Sequence, residues 1–145
     1  MALKEKLIET DHAYLEFDLV CGRAAGHVLI RGASRTEFFQ EYGKAHWEAQ
    51  ERMARLVARA MLRKVGAPPK SVKKAEVFFH RDPDVLVLDF RLKDVGHAEL
   101  RTLVAGLREL ADRVRDADEG RKFVQEAFDD IKAKRGRQPC PERTR

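Results

Sequence analysis

The stretch AEVFFHRDPDVLVLDFRL, residues 75–92, decides the fold, because apolar residues recur at every second position on both sides of a proline-containing turn. Such alternation is typical of β-strands that bury one face, and Asp-Pro-Asp favours a turn. The segment therefore predicts a β-hairpin. Its buried face combines Ala75, Val77 and Phe79 with Leu86, Leu88, Phe90 and Leu92.

Two registers of this hairpin keep the buried faces together. A four-residue RDPD loop (81–84) sets Glu76 opposite Asp89, whereas a tighter loop sets Glu76 opposite Arg91. The tighter loop needs the positive φ angles of a primed turn, which proline cannot adopt. The sequence therefore favours the four-residue loop or a bulged compromise.

An earlier stretch, AYLEFDLVCGRAAGHVLIR (13–31), alternates in the same way around a glycine-flanked break. It predicts another hairpin, with GRAAGH at its tip and Arg23 placed to contact an anionic partner. The two halves of the chain also align at an offset of 60 residues, which leaves an internal duplication open. The predicted register pairs Cys21 with Gly26, Leu19 with Val28, Phe17 with Ile30 and Glu16 with Arg31.

A long helix is predicted between the two hairpins. Ser34 and Glu37 form a capping box at its start, and apolar residues then follow spacings of three and four. The sequence GAPP (66–69) ends this helix near Val65, because it combines a left-handed glycine cap with prolines. Its length, about 30 residues, is large for a chain of this size.

The remaining segments are also predicted to be helical. An amphipathic helix covers 100–114, and a break in DADEG (116–120) separates it from a last helix that carries the apolar residues of 123–131 and ends at Gly136. At the other end of the chain, residues 2–9 are predicted to form one or two helical turns.

These elements define an α+β fold in the order ββαββα plus a C-terminal helix. The two hairpins are predicted to form a four-stranded antiparallel sheet packed against the long helices. Residues 1–135 form a single domain in this interpretation, and 136–145 form a basic, flexible tail.

Composition limits the classes of protein that the chain can represent. It has 145 residues, 37% of them charged, and its apolar runs are too short to span a membrane. The N-terminus lacks the pattern of a secretory signal, which favours a cytoplasmic location. Asparagine is absent, as is common in proteins from hot environments, although a GC-rich genome would give the same bias. Six of the last 14 residues (132–145) are basic and one is acidic, so this C-terminal segment carries the whole net charge of +5.

No motif of known chemistry is complete. HRD (80–82) resembles the kinase catalytic loop, but Val87 stands where that loop requires asparagine, and His80, Asp82 and Asp84 are interpreted as turn residues rather than metal ligands. DADEG lacks the glycine and glutamate of an EF-hand. Cys21 and His27 are the only conceivable nucleophile and base, and Cys21 is interpreted as inert core packing. We therefore predict no catalytic residues, no metal site and no cofactor.

Several residues are instead predicted to contact a partner, because aromatic and arginine side chains commonly anchor interfaces. Trp47 lies opposite the apolar stripe of the long helix, where either a partner or another part of the chain covers it. An open outer sheet face holding Phe78, Val85 and Val87 would be a contact surface. The predicted partner-binding residues are Trp47, Arg52, Arg55, Arg59, Arg63, Phe78, Arg135 and Arg137.

These features favour a non-enzymatic accessory or regulatory protein that docks on a larger protein or nucleoprotein complex, such as the transcription apparatus. Direct nucleic-acid binding, with phosphate contacts through the basic tail, is the first alternative. An enzyme or ligand-binding module of unrecognised type is the second. No membrane partner is expected, and the sequence leaves the oligomeric state open.

Overall fold

The computed structural model describes residues 4–33, 47–80 and 85–137, with the side chains of 47–50 and 134–137 outside the description. Its described strands form one antiparallel sheet in the order β1-β2-β3-β5-β4, which confirms the α+β class. The strands are β1 (Lys4–Glu9), β2 (Ala13–Asp18), β3 (Arg23–Arg31), β4 (Glu76–Phe79) and β5 (Val85–Leu92). The helices are α1 (Trp47–Lys64), α2 (Pro69–Lys73), α3 (His97–Arg113) and α4 (Ala117–Arg137).

The strand β1 corrects the predicted four-stranded sheet and the predicted helical turns at 2–9. This segment pairs with β2 along its length and buries Ile8 beside Leu15. A helix of two turns would have to offset the cost of nucleation with few hydrogen bonds, whereas an edge strand gains ladder bonds from an existing neighbour. Among the residues that the structure describes, the sheet therefore has five strands.

The predicted register of the first hairpin is wrong. Asp18 pairs with Arg23, and the turn between them is closed by the Asp18 carboxylate, which accepts hydrogen bonds from the amides of Val20 (2.9 Å) and Cys21 (3.2 Å). Leu19, predicted on the core face, is 43% exposed in this turn. The predicted pairing of Glu16 with Arg31 is also absent, since Glu16 lies beside Ala25, as the complete register shows: Ala13 with Val28, Leu15 with Gly26 and Phe17 with Ala24.

GRAAGH is therefore not a hairpin tip, because most of it belongs to β3. Gly26 lies on the core face, where a Cβ atom would overlap the carbonyl oxygen of Tyr14 and approach the Phe90 ring to 3.0 Å. Ala24 is fully buried on the same face. Small residues thus continue the buried face of the strand in places where the sequence suggests a turn.

The second hairpin is confirmed, but not in the favoured register. Glu76 pairs with Arg91, and Phe78 pairs with Asp89. This register sets opposite charges side by side, whereas the favoured one would set the carboxylates of Glu76 and Asp89 together. The RDPD residues (81–84), including Asp82 and Asp84, lie outside the described residues.

Helix α1 ends as predicted. Gly66 adopts a left-handed conformation (φ 97°), its amide donates to Arg63, and the Ala67 amide donates to Leu62. This pair of bonds is a Schellman motif, which satisfies the last carbonyl groups of the helix. Pro69 then begins the short helix α2, which was not predicted. The predicted start of the long helix at Ser34 lies outside the described residues.

The break between the last two helices is confirmed. Helix α4 begins at Ala117, and the Asp116 carboxylate caps it by accepting hydrogen bonds from the amides of Asp118 (2.8 Å) and Glu119 (3.3 Å). The prediction that Gly136 ends the helix is wrong, since α4 continues to Arg137. One glycine near a helix end costs about 1 kcal/mol, which the rest of the helix can offset.

The core lies between one face of the sheet and the helices. Helix α1 packs on β4 and α4, α3 packs on β1 and β2, and α4 packs on β3. Arg113 of α3 joins α4 through two bonds to Glu126 (3.0 and 3.2 Å) and one to Glu119 (3.1 Å). We call this sheet face the inner face and the opposite one the outer face.

Candidate interaction surface on the outer face of the sheet

The outer face is the less covered side of the sheet. Along β2 and β3, buried residues alternate with exposed or half-buried ones, and every fully buried position points to the inner face. Within residues 4–33, 47–80 and 85–137, no helix packs over the outer side chains. The outer face therefore presents side chains from rigid, hydrogen-bonded strands to the surroundings.

A row of aromatic side chains crosses this face from one strand to the next. Tyr14 of β2 lies beside His27 of β3, His27 lies beside Asp89 of β5, and Asp89 lies beside Phe78 of β4. The Tyr14 and His27 rings stack, with centroids 5.5 Å apart and an angle of 15° between their planes. Phe78 is 52% exposed. We call Tyr14, His27 and Phe78 the aromatic row.

Phe78 is held in place by its neighbours. Its ring lies 4.7 Å from that of His80, at an angle of 44°, and His80 Nε2 lies 3.0 Å from Asp89 Oδ2. His80 and Asp89 form an ion pair when the imidazole is protonated. His80, considered as a metal ligand on the sequence alone, thus pairs with Asp89 of β5 beside an exposed phenylalanine.

Tyr14 is anchored at the opposite end of the row. Its hydroxyl donates to Glu16 (3.1 Å), and Glu16 also forms an ion pair with Lys4 (3.6 Å). Partial desolvation, followed by the hydrogen bond to the anionic Glu16, raises the pKa of Tyr14 above its ordinary value. Tyr14 therefore remains a neutral ring with a fixed orientation.

A depression of about 410 Å³ adjoins the row because the small side chain of Ala25 lies among long ones. Arg23 and Arg91 flank it, and neither forms an ion pair with another described residue. We call it the Ala25 depression. Its lining comprises Lys4, Glu16, Asp18, Arg23, Ala24, Ala25, Glu76, Arg91, Leu92 and Lys93.

A second depression, of about 210 Å³, connects the first with the aromatic row. Glu76 and Arg91 line both depressions, while Phe78 and Asp89 line only the second. Aromatic and arginine side chains therefore belong to one continuous surface. Phe78 lies on this surface as predicted, and so does Arg23, which was predicted to contact an anionic partner.

The arginine row of α1 is only partly exposed. Arg52, Arg55 and Arg63 are exposed, but Arg59 is half-buried and its Nη2 donates to the carbonyl oxygen of Ala75 (3.3 Å). Arg59 Nε is buried without a hydrogen-bond partner in the described structure. Arg59 thus links α1 to the segment before β4, and the surface row is interrupted there.

Three other predicted residues have only their backbones described. Trp47 is the first described residue of α1, and Arg135 and Arg137 lie in the last described turn of α4. Their side chains lie outside the described part of the chain, so their predicted contacts stay predictions. The Cys140 thiol also lies outside it.

The interpretation of Cys21 as core packing is wrong. Its side chain is exposed in the turn after β2, where Asp18 binds its amide. His27 points to the outer face from the middle of β3, and it stacks on Tyr14. Among the described residues, no group of three or more His, Cys, Asp or Glu side chains could hold a metal ion.

Comparison with models of known protein families, with curated protein sequences and with solved structures gives no match. None of the helices in the described part of the chain combines the length and the apolar character that spanning a bilayer requires.

Proposed function

We propose that this chain is a non-enzymatic binding protein that serves a larger nucleic-acid-handling complex and engages its partner with the outer face of the sheet. The observation that carries the proposal is the aromatic row beside the arginine-flanked Ala25 depression. Exposed aromatic and arginine side chains are the residue types that most often dominate binding energy.

The polar groups of the outer face favour binding over catalysis. His80 is paired with Asp89, and Glu16 is paired with both Lys4 and Tyr14. These pairs lie at the surface, where water screens their charges and little desolvation is available to tune their chemistry. They hold neighbouring side chains in fixed orientations, which reduces the conformational entropy that is lost on binding.

A second candidate is docking through α1. Arg52, Arg55 and Arg63 are exposed on one flank of that helix, as an acidic protein surface would require. Arg59 does not extend this set of exposed charges, because it is half-buried and donates to the carbonyl oxygen of Ala75. We therefore favour the outer face over α1 as the partner-binding surface.

Affinity purification of the full-length chain from its own cells tests this proposal. Phe78→Ala removes an exposed ring and should leave the fold intact, while reducing the recovery of specific partners several-fold. Leu19→Ala is the matched control, because Leu19 is also exposed (43%) but lies in the turn after β2. Mass spectrometry and nuclease treatment identify the recovered proteins and nucleic acids.

Equal recovery by the wild type and Phe78→Ala would contradict docking on the outer face. Loss of the partner only in Arg52→Gln, with Phe78→Ala unaffected, would transfer the binding surface to α1.

A further inference from the structure

We propose that the occupant of the outer face is single-stranded nucleic acid, with bases stacked on the aromatic row and backbone phosphates over the Ala25 depression. This inference rests on the proposed function and names its ligand. The surface must have two properties. Aromatic rings must project from neighbouring strands so that bases can stack on them, and cationic groups must lie close enough to bind the phosphates of the stacked nucleotides.

The aromatic row meets the first requirement. Neighbouring strands lie about 4.8 Å apart, so Tyr14 and Phe78, which are three strands apart, are separated by roughly 14 Å across the sheet. Unpaired bases stack on aromatic side chains that project from antiparallel sheets, and such stacking tolerates any base sequence. His27 stacks on Tyr14 on the side that faces Phe78, so these two rings form one end of the row. Phe78 provides a separate ring at the other end.

The Ala25 depression meets the second requirement. Ala25 and His27 are two residues apart on β3, so the depression begins about 7 Å from the row along the strand. Arg23 and Arg91 flank the depression without carboxylate partners among the described residues. An arginine can donate two parallel hydrogen bonds to one phosphate.

The acidic residues of the depression limit the number of phosphates that it can bind. Glu16 is paired with Lys4, and Asp18 accepts backbone hydrogen bonds in its turn. Glu76 is exposed beside Arg91 and would repel any phosphate beyond the two that Arg23 and Arg91 can bind. We therefore infer contacts to about two phosphates, with much of the affinity coming from stacking.

Single-stranded rather than duplex nucleic acid fits this chemistry, because a duplex hides the faces of its bases. A protein partner would also use Phe78, but it would not require unpaired bases. The two ligands are separated by measuring direct binding with purified components.

The test uses full-length protein and fluorescence anisotropy with labelled oligothymidine and oligouridine of about 16 nucleotides, the upper end of the site size of small binding domains. A duplex of the same length and inorganic phosphate serve as competitors. We expect Phe78→Ala and Tyr14→Leu each to weaken binding about 5- to 150-fold, the loss expected for one stacked base. Filling the depression with a carboxylate, in Ala25→Glu, should weaken it at least about tenfold.

Two matched controls lie elsewhere on the surface. Leu19→Ala removes an exposed apolar side chain from the turn, and Arg52→Gln removes an exposed positive charge from α1. Both should bind like the wild type. Because about two phosphates are contacted, the slope of log K against log salt should be about −1.4, and Arg91→Gln should make it shallower by about 0.7.

The absence of oligonucleotide binding at low salt would overturn the inference. Binding that all outer-face variants retain, or that Arg52→Gln weakens as much as Phe78→Ala, would overturn it too, since the ligand would then lie elsewhere. If Phe78→Ala loses a protein partner in cell extracts while purified protein binds no oligonucleotide, this inference fails and the proposed docking function stands. If neither assay responds to Phe78→Ala, both fail.

Discussion

Replacing Gly106 by alanine tests how closely α3 approaches the end of α1. A Cβ atom at position 106 would overlap the carbonyl oxygen of Val65 and lie 2.7 Å from its carbonyl carbon. In an open helix the change would stabilise the protein by about 1 kcal/mol, because alanine is the better helix former. Overpacking typically costs about 1–3 kcal/mol, and the upper value applies here since the obstructing atoms belong to the backbone rather than to a flexible side chain.

We therefore expect Gly106→Ala to lower the free energy of unfolding by about 2 kcal/mol, or Tm by roughly 4–8 °C in a chain of this size. Urea denaturation followed by circular dichroism measures it. Ala105→Gly is the matched control at the neighbouring, exposed position, where the loss should be about 1 kcal/mol from helix propensity alone. A rise in stability for Gly106→Ala would refute the close approach of the two segments.

Two further changes test polar contacts. Arg113 lowers the pKa of Glu126, so this carboxylate contributes stability above its unfolded value of 4.5 and loses that contribution as pH falls through its lower folded value. Both side chains are partly exposed and screened by water, so Glu126→Gln should lower the free energy of unfolding by about 1 kcal/mol at pH 7 and by almost nothing near pH 2. Urea denaturation at the two pH values measures these losses, and equal losses would contradict the ion pair. Asp18→Ala removes the acceptor that closes the first hairpin and should cost about 1 kcal/mol. Asp11→Ala, at an exposed position, serves as its control, and equal Tm values for the two variants would contradict the role of the Asp18 carboxylate.

The alternation of apolar residues in strands and the residues that end or begin helices were sufficient to predict much of the fold. The buried faces of β4 and β5, the end of α1 at Gly66 and the break before α4 follow from local chemistry that neighbouring segments do not override. In each case the deciding residues lie within a few positions of the feature. The predictions therefore needed no knowledge of the tertiary structure.

The register of the first hairpin could not be predicted in this way. Leu19 continues the apolar alternation of β2, but the Asp18 side chain binds two amides and turns the chain three residues earlier than predicted. Ala24 and Gly26 then occupy core positions that apolar patterning does not reveal, and close contacts from Tyr14 and Phe90 require the small size of Gly26. The offset of 60 residues would make Leu19 the counterpart of Phe79, but Leu19 is 43% exposed whereas Phe79 is buried.

The candidate surface could be predicted only in part, because it depends on the register of the first hairpin. Phe78 stood out because it shares a strand with two core residues but points away from them. Tyr14 and His27 come together only in the observed register, in which they face each other across β2 and β3. The signal for them was the alternation of Ala24, Gly26, Val28 and Ile30, once alanine and glycine are counted as core residues.

The strand order has a consequence for how fast the chain can fold. Within each hairpin, the strands pair after short turns, but β3 and β5 join residues that are far apart in sequence, from Arg31 with Val85 to Ala24 with Leu92. Closing that long segment costs chain entropy before any contact is gained, and chains dominated by such distant pairings fold slowly. The pairing of β3 with β5 should therefore set the folding rate. Until it forms, the β1–β2–β3 sheet and the β4–β5 hairpin remain separate, and their unpaired edge strands can associate with other chains.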